Sequence, residues 1–228
     1  MATVLEGIPF SIDRDLLAAA LREPPGSREV GRVEEMARQA EAAGSPSAVY
    51  RASRLTRVRA DGVDLDGIPL DGPLLTEKLA GLQTAFPFIA TCGARMEEWA
   101  GSYSDMLDRY RADVIATIAL GSAVESLKKH IRELHDTGSL SMMNPGSLGA
   151  WPLEEQRKIF ALLGDSAARI GVALTDSLLM KPLKSLSGIL FASDEEFVNC
   201  GRCPRADCPA RRAPFDGHAG TTRGCGGR

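Results

Sequence analysis

No apolar run in this sequence approaches the ~18 residues of a membrane-spanning helix. The best candidate, residues 114–120, is broken by Thr117. The first twelve residues lack the basic-then-apolar order of a secretion signal and carry Glu6 among them. An excess of charge of one sign is missing too. The formal net charge is −3, so bulk electrostatics give no reason to invoke nucleic acid or an anionic membrane as partner. Internal repeats are absent. These absences together point to a cytoplasmic protein that engages neither nucleic acid nor membrane.

Ordinary soluble material is present in quantity. The chain has 228 residues, 44% hydrophobic and 25% charged, enough for one large domain with a sizeable core and a small appendage. A core of that size does not need disulfides, yet there are five cysteines, three of them within residues 200–208. In a reducing compartment such crowding reads as metal ligation or redox chemistry.

The chain divides into three parts. Residues 1–44 hold two helices. The first spans 11–22, with Ser11 as a possible cap, and stops at Pro24, Pro25 and Gly26; the second spans 29–43 and ends at Gly44. Residues 45–195 form the core domain. Within it, 48–70 reads as strands joined at the turn dipeptides Asp61-Gly62 and Asp66-Gly67. A helix is expected over 74–82, a strand over 86–90 and a helix from Gly93 through Trp99. The strongest helical periodicity runs over 112–135. Gly121 interrupts it, and close packing of backbone on a neighbouring element is the expected reason. Residues 136–150 read as a polar loop, 152–163 as a helix with proline at its first position, and 170–180 and 185–192 as two strands that pair. Residues 196–228 are a cysteine-rich tail.

Three ordered blocks in the core carry a resemblance. The first is Thr91-Cys92-Gly93-Ala94-Arg95-Met96-Glu97-Glu98-Trp99, followed by Gly121-Ser122-Ala123-Val124-Glu125. The second is Asn144-Pro145-Gly146-Ser147 with Trp151-Pro152, Glu155-Gln156 and Phe160. The third is Gly171 to Ser177, then Met180, Pro182 and Ser185-Leu186-Ser187-Gly188. This set resembles the activation domain of vitamin B12 (cobalamin)-dependent methionine synthases, over roughly residues 45 to 195. The resemblance implies an α+β fold with a curved antiparallel sheet and flanking helices. It implies a partner that carries a corrinoid, either a corrinoid protein or a corrinoid methyltransferase. The activity it implies is repair, in which oxidised cobalt is reduced and trapped by methyl transfer from S-adenosylmethionine.

The same resemblance marks Asn144, Pro145, Gly146, Ser147, Trp151, Ser185 and Ser187 as candidate ligand-binding residues. Proline and glycine suit a tight turn that brings backbone close to a ligand, and Trp151 is either a stacking platform or a packing residue on the helix that follows. Met142 stands where the family places an arginine that contacts the S-adenosylmethionine carboxylate. Ser147 replaces a tyrosine, and Ile189 and Leu190 replace an aromatic pair. Loss of a bidentate arginine removes a charge-assisted pair, so weak or absent S-adenosylmethionine binding is expected.

The sharpest chemical signal is Cys200-x2-Cys203-x4-Cys208. Two thiolates at x2 spacing chelate one metal or one cluster edge, and Cys208 adds a third ligand. Cys225 supplies a fourth by way of a glycine-rich arm, with Cys92 as a competitor. Pro204 and Pro209 follow cysteines, as in ferredoxin-type cluster loops, which favours an iron–sulfur cluster; zinc suits all-thiolate sites as well. Arg202, Arg205, Arg211 and Arg212 would offset the thiolate charge. Two functions follow as alternatives: a reductive reactivation factor with a cluster, or a non-catalytic corrinoid-protein binding module with structural zinc.

Overall fold

The fold was read from a computed structural model that describes residues 1–22, 29–194, 197–205, 207–208 and 213–215. In chain order the elements are β1 (Thr3–Leu5), α1 (Arg14–Leu21), α2 (Val30–Ala43), β2 (Ser47–Tyr50), β3 (Ser53–Arg59), β4 (Gly62–Leu65) and β5 (Ile68–Asp71). Then come α3 (Pro73–Leu79), β6 (Thr84–Thr91), α4 (Ala94–Gly101), α5 (Met106–His135) and β7 (Leu140–Met143). A 3-10 turn (Leu153–Glu155) leads into α6 (Gln156–Leu163), followed by α7 (Ser166–Arg169), β8 (Ala173–Leu174), β9 (Met180–Lys181), β10 (Ser185–Ala192) and α8 (Asn199–Arg202).

Antiparallel pairing organises everything around β6. Seven of its eight residues are buried, as expected for a strand covered on both faces. On one side it pairs with β2 and, further along, with β3; on the other it pairs with β10. β1 extends the sheet beyond β2, β7 extends it beyond β10, and β3, β4 and β5 form a meander that curls from the end of β6. Alternate residues of the central strands face opposite layers. Val49, Ile89, Ile189, Met143 and Phe191 face a core shared with α3, α6 and α7. Ala48, Tyr50, Phe88, Ala90 and Leu190 face the C-terminal half of α5. A third core, of α1, α2, α4 and the N-terminal half of α5, holds Met36, Met96, Cys92 and Ile115. The α+β architecture with an antiparallel sheet and flanking helices is the one expected.

Several local expectations need correction. Asp13, not Ser11, caps α1: its carboxylate accepts the N–H groups of Asp15 at 2.9 Å and Leu16 at 3.1 Å. The 136–150 stretch is not all loop, since four of its residues form β7. Residues 170–180 do not pair with 185–192. They fold back on themselves as the two-residue strands β8 and β9, because the Leu178 N–H donates to the Thr175 carbonyl at 3.0 Å and Leu178 adopts φ 66°. The sheet edges of β10 are then filled by β6 and β7. Gly121 is exposed, and a Cβ built there meets open space. The close approach of α5 to its neighbours uses the buried alanines 112, 116, 119 and 123 instead.

Candidate functional site

Three neighbouring strands bring small hydroxyl side chains into one row. Ser185 on β10 lies opposite Thr91 on β6, and Thr91 lies opposite Ser47 on β2. All three are buried, so each hydroxyl must find a partner within the protein. Ser185 Oγ lies 2.9 Å from Thr91 Oγ1 and 2.7 Å from the Pro182 carbonyl. Thr91 Oγ1 accepts the Gly93 N–H at 3.1 Å, and Ser47 Oγ donates to the Ser45 carbonyl at 3.2 Å. The row therefore fixes the Gly93 turn into α4 and the entry into β10.

Two residues further along β10, Ser187 is 3% exposed and faces the same layer. Its carbonyl accepts Asn144 Nδ2 at 2.8 Å. That bond ties the start of the 144–151 loop to the central sheet. Gly188 makes it possible. A Cβ there would stand 2.2 Å from the Met143 carbonyl oxygen and 2.6 Å from Asn144 Nδ2, so any side chain would push β7 and the loop away.

The loop closes on itself through main-chain bonds. Gly146 N–H donates to the Trp151 carbonyl at 2.8 Å, Ser147 N–H to the Asn144 carbonyl at 3.3 Å, and Trp151 N–H to the Leu148 carbonyl at 3.0 Å. Gly146 takes φ 77°, a conformation that glycine adopts without strain. Asn144, Pro145 and Leu148 are buried, whereas Gly146, Ser147 and Gly149 are exposed. Trp151 is fully buried in the core with α3 and α6, and its indole Nε1 has no hydrogen-bond partner among the described residues. In this conformation its ring packs and offers no face to a ligand. The surface the loop presents is made by Gly146, Ser147 and Gly149. Met142 and Leu190 are register partners on the opposite layer, against α5.

Ion pairs brace this end of the molecule. Glu155, 7% exposed, accepts the Asp71 N–H at 2.7 Å. Lys158 Nζ lies 2.8 Å from Glu155 and 2.7 Å from Asp71, and Arg59 reaches Asp71 at 2.7 Å. Lys158 and then Arg59, by hydrogen bonding, hold the Asp71 carboxyl below its usual range. The network fixes α6, and with it the end of the loop, to β5. Other polar side chains have structural partners: Glu125 pairs with Lys128 at 3.1 Å, Lys184 with Asp113 at 2.9 Å, and Arg157 donates to the Asp176 carbonyl at 2.8 Å. His130 and His135, five residues apart on α5, both meet Tyr50, whose hydroxyl lies 3.2 Å from His135 Nε2. Burial and the neighbouring His130 depress the His135 pKa.

Residues 197–203, at the start of the cysteine-rich tail, are seated on the domain, which composition did not reveal. Phe197 N–H donates to Ser141 Oγ on β7 at 2.8 Å. The Phe197 ring lies beneath Lys78 Nζ at 5.2 Å, and Arg202 pairs with Glu77 on α3 at 2.5 Å. That pair is the leading cause that lowers the Glu77 carboxyl. Phe197 and Cys203 pack against the core that contains Trp151. Cys200 lies on α8, and Cys203 N–H donates to its carbonyl at 3.3 Å. Cys200, Cys203 and Cys208 are all half-buried. Among the described residues no three His, Cys, Asp or Glu side chains are gathered to hold a metal ion. Cys225, Arg211 and Arg212 lie outside the described residues. Cys92 is fully buried in the core of α1, α2, α4 and α5, a different core from the one Cys203 joins, so it does not compete for the same centre. Among the described residues no helix is long and apolar enough to cross a membrane.

Comparison with known proteins finds one family model and a solved fold that resemble this chain. Residues 147–209 match the family model of the vitamin B12 dependent methionine synthase activation domain. That stretch starts in the loop, includes α6 and β10, and ends just past Cys208. No curated protein matches the chain. Among solved structures it is similar to the MetH reactivation domain bound to AdoHcy, with a TM-score of 0.57 and 16% identity over 86% of this chain and 80% of that one. Residues 147–209 are thus similar to the vitamin B12 dependent methionine synthase activation domain, and the chain shares the fold of the MetH reactivation domain.

Proposed function

We propose that this chain supports the reductive reactivation of a corrinoid-dependent methyltransferase and meets the corrinoid-carrying partner through the face formed by the 144–151 loop. The observation that carries the reading is the family match beginning at Ser147, at the loop's exposed tip. The organisation is that of N-terminal helices (1–44), an activation-domain-like core (45–195) and a cysteine-rich segment (196–228). Cys200, Cys203 and Cys208, with Cys225 as the fourth ligand, hold an iron–sulfur cluster or zinc in this reading. A non-catalytic role with structural zinc is the second reading, favoured by the packing of Cys203 against the core.

Ligand contacts come from Ser147 and Gly146 at the tip, with Asn144, Pro145, Ser185 and Ser187 as the frame and Trp151 as the packing anchor. S-adenosylmethionine binds weakly or not at all, because Met142, Ser147 and Leu190 replace the polar and aromatic groups that the resembled family uses. Calorimetry with a corrinoid protein and, separately, with S-adenosylmethionine tests both statements. Wild type should bind the corrinoid protein, and Ser147→Glu, at an exposed position, should weaken binding about tenfold or more by burying an unpaired charge at the interface. Failure of wild type to bind the corrinoid protein contradicts the reading. Micromolar S-adenosylmethionine affinity contradicts the weak-binding statement.

A further inference from the structure

Cys200 and Cys203 stand at the two ends of one turn. Pro204 disfavours helical backbone at the residue before it, and Cys203 accordingly ends α8 in an extended conformation, φ −93° and ψ 118°. Gly201 and Arg202, between the cysteines, are helical, and the Cys203 N–H donates to the Cys200 carbonyl at 3.3 Å. Helical geometry over the two intervening residues sets the Cα atoms of the pair about 5 Å apart. A disulfide spans roughly 4.4–6.8 Å between Cα atoms, so the backbone of this pair already has the spacing of a disulfide. The turn is also held in place, because Phe197 N–H is bonded to Ser141 Oγ on β7 and Arg202 is paired with Glu77 on α3. Both thiols are half-buried. A metal centre needs three or four ligands, and among the described residues no three are gathered; a dithiol needs two.

We propose that Cys200 and Cys203 form a redox-active dithiol, which exchanges with low-molecular-weight disulfides such as oxidised glutathione and closes to an intramolecular disulfide. One cysteine, as thiolate, attacks a sulfur of the small disulfide, whose S–S bond breaks; the other half leaves with the electron pair and takes up a proton. The second cysteine, as thiolate, attacks the protein sulfur of this mixed disulfide, and the remaining half leaves in the same way. Each cysteine gives up one proton. The pair is oxidised by two electrons, and the small disulfide is reduced to two thiols. The second attack is intramolecular, and the docked turn raises the effective concentration of one sulfur at the other. Cys208, five residues beyond Cys203 and outside α8, lies off this turn, and Cys92 is buried in another core. The inference uses two thiols and no metal, and is independent of the corrinoid partner.

Full-length protein, reduced and then freed of reductant, is equilibrated anaerobically with mixtures of reduced and oxidised glutathione at pH 8, trapped with acid and mapped by mass spectrometry. Wild type should lose two thiols and yield one Cys200–Cys203 disulfide, which excess dithiothreitol reopens. Cys208→Ser should form the same disulfide at the same glutathione ratio. Cys200→Ser should stop at a mixed disulfide of Cys203 with glutathione. Unfolding in urea, which dissolves the turn, should lower the effective concentration of the pair about tenfold. The proposal is overturned if both thiols stay free in excess oxidised glutathione, if the disulfide maps to Cys208, or if Cys208→Ser prevents closure. It is equally overturned if Cys200→Ser still closes an intramolecular disulfide, or if urea leaves the effective concentration unchanged.

Discussion

Cys92 shows how one residue type takes opposite roles in one chain. It is fully buried beside Met96 and Ile115, and burial, with Glu97 as the lesser cause, pushes its thiol from 9.0 up to about 12. A thiol in that state is neither a nucleophile nor a metal ligand at neutral pH. Iodoacetamide at pH 8 should leave Cys92 unmodified in the native protein and label it after denaturation. Native labelling of Cys92 at the rate of an exposed thiol would contradict this. The linkage has a definite sign. The unfolded chain releases the Cys92 proton first as pH rises, so the stabilisation is complete below pH 9.0 and is lost as pH climbs towards about 12. In the sequence, the crowding of Cys200, Cys203 and Cys208 separated them from Cys92. Burial did not follow from spacing, and the place of Trp151 was open for the same reason: stacking and packing need the same aromatic residue.

At the scale of elements, two glycines predict opposite outcomes. Gly121 lies at an exposed position in the middle of α5 with open space at its Cβ position. Gly121→Ala should therefore stabilise the protein by about 0.5–1 kcal/mol through helix propensity. Gly188 lies in β10, where a Cβ would stand 2.2 Å from the Met143 carbonyl. Gly188→Ala should destabilise by about 1–3 kcal/mol through forced displacement of β7. Urea denaturation midpoints measure both, and equal signs for the two would contradict the packing described here. Long periodic elements such as α5, and apolar strands such as β6 and β10, were legible in the sequence because their patterns repeat several times. β7 was not, because its four residues between Gly138 and Pro145 are too few to show a period. The pairing of residues 170–180 was misjudged because apolar content alone does not reveal the Thr175–Leu178 turn.

The whole molecule is a sheet with a different task on each side. Its α5 face is a packed support, and α5 continues beyond the sheet into the core of α1, α2 and α4. The opposite face carries the 144–151 loop, the hydroxyl row at one end and the docked cysteine segment. The ordered three-block resemblance pointed to this fold before any strand was placed. Long-range contacts such as Phe197 with Ser141 and Arg202 with Glu77, 125 residues apart, leave no local signature and had to come from the structure. The most direct test of the account adds the purified chain, with a reductant and a methyl donor, to a corrinoid methyltransferase inactivated by cobalt oxidation, and follows the return of methyl transfer. The account predicts that activity returns with the wild-type chain and falls about tenfold or more with Ser147→Glu. Return of activity at the same rate without the chain, or no return although the chain binds its partner, would contradict it.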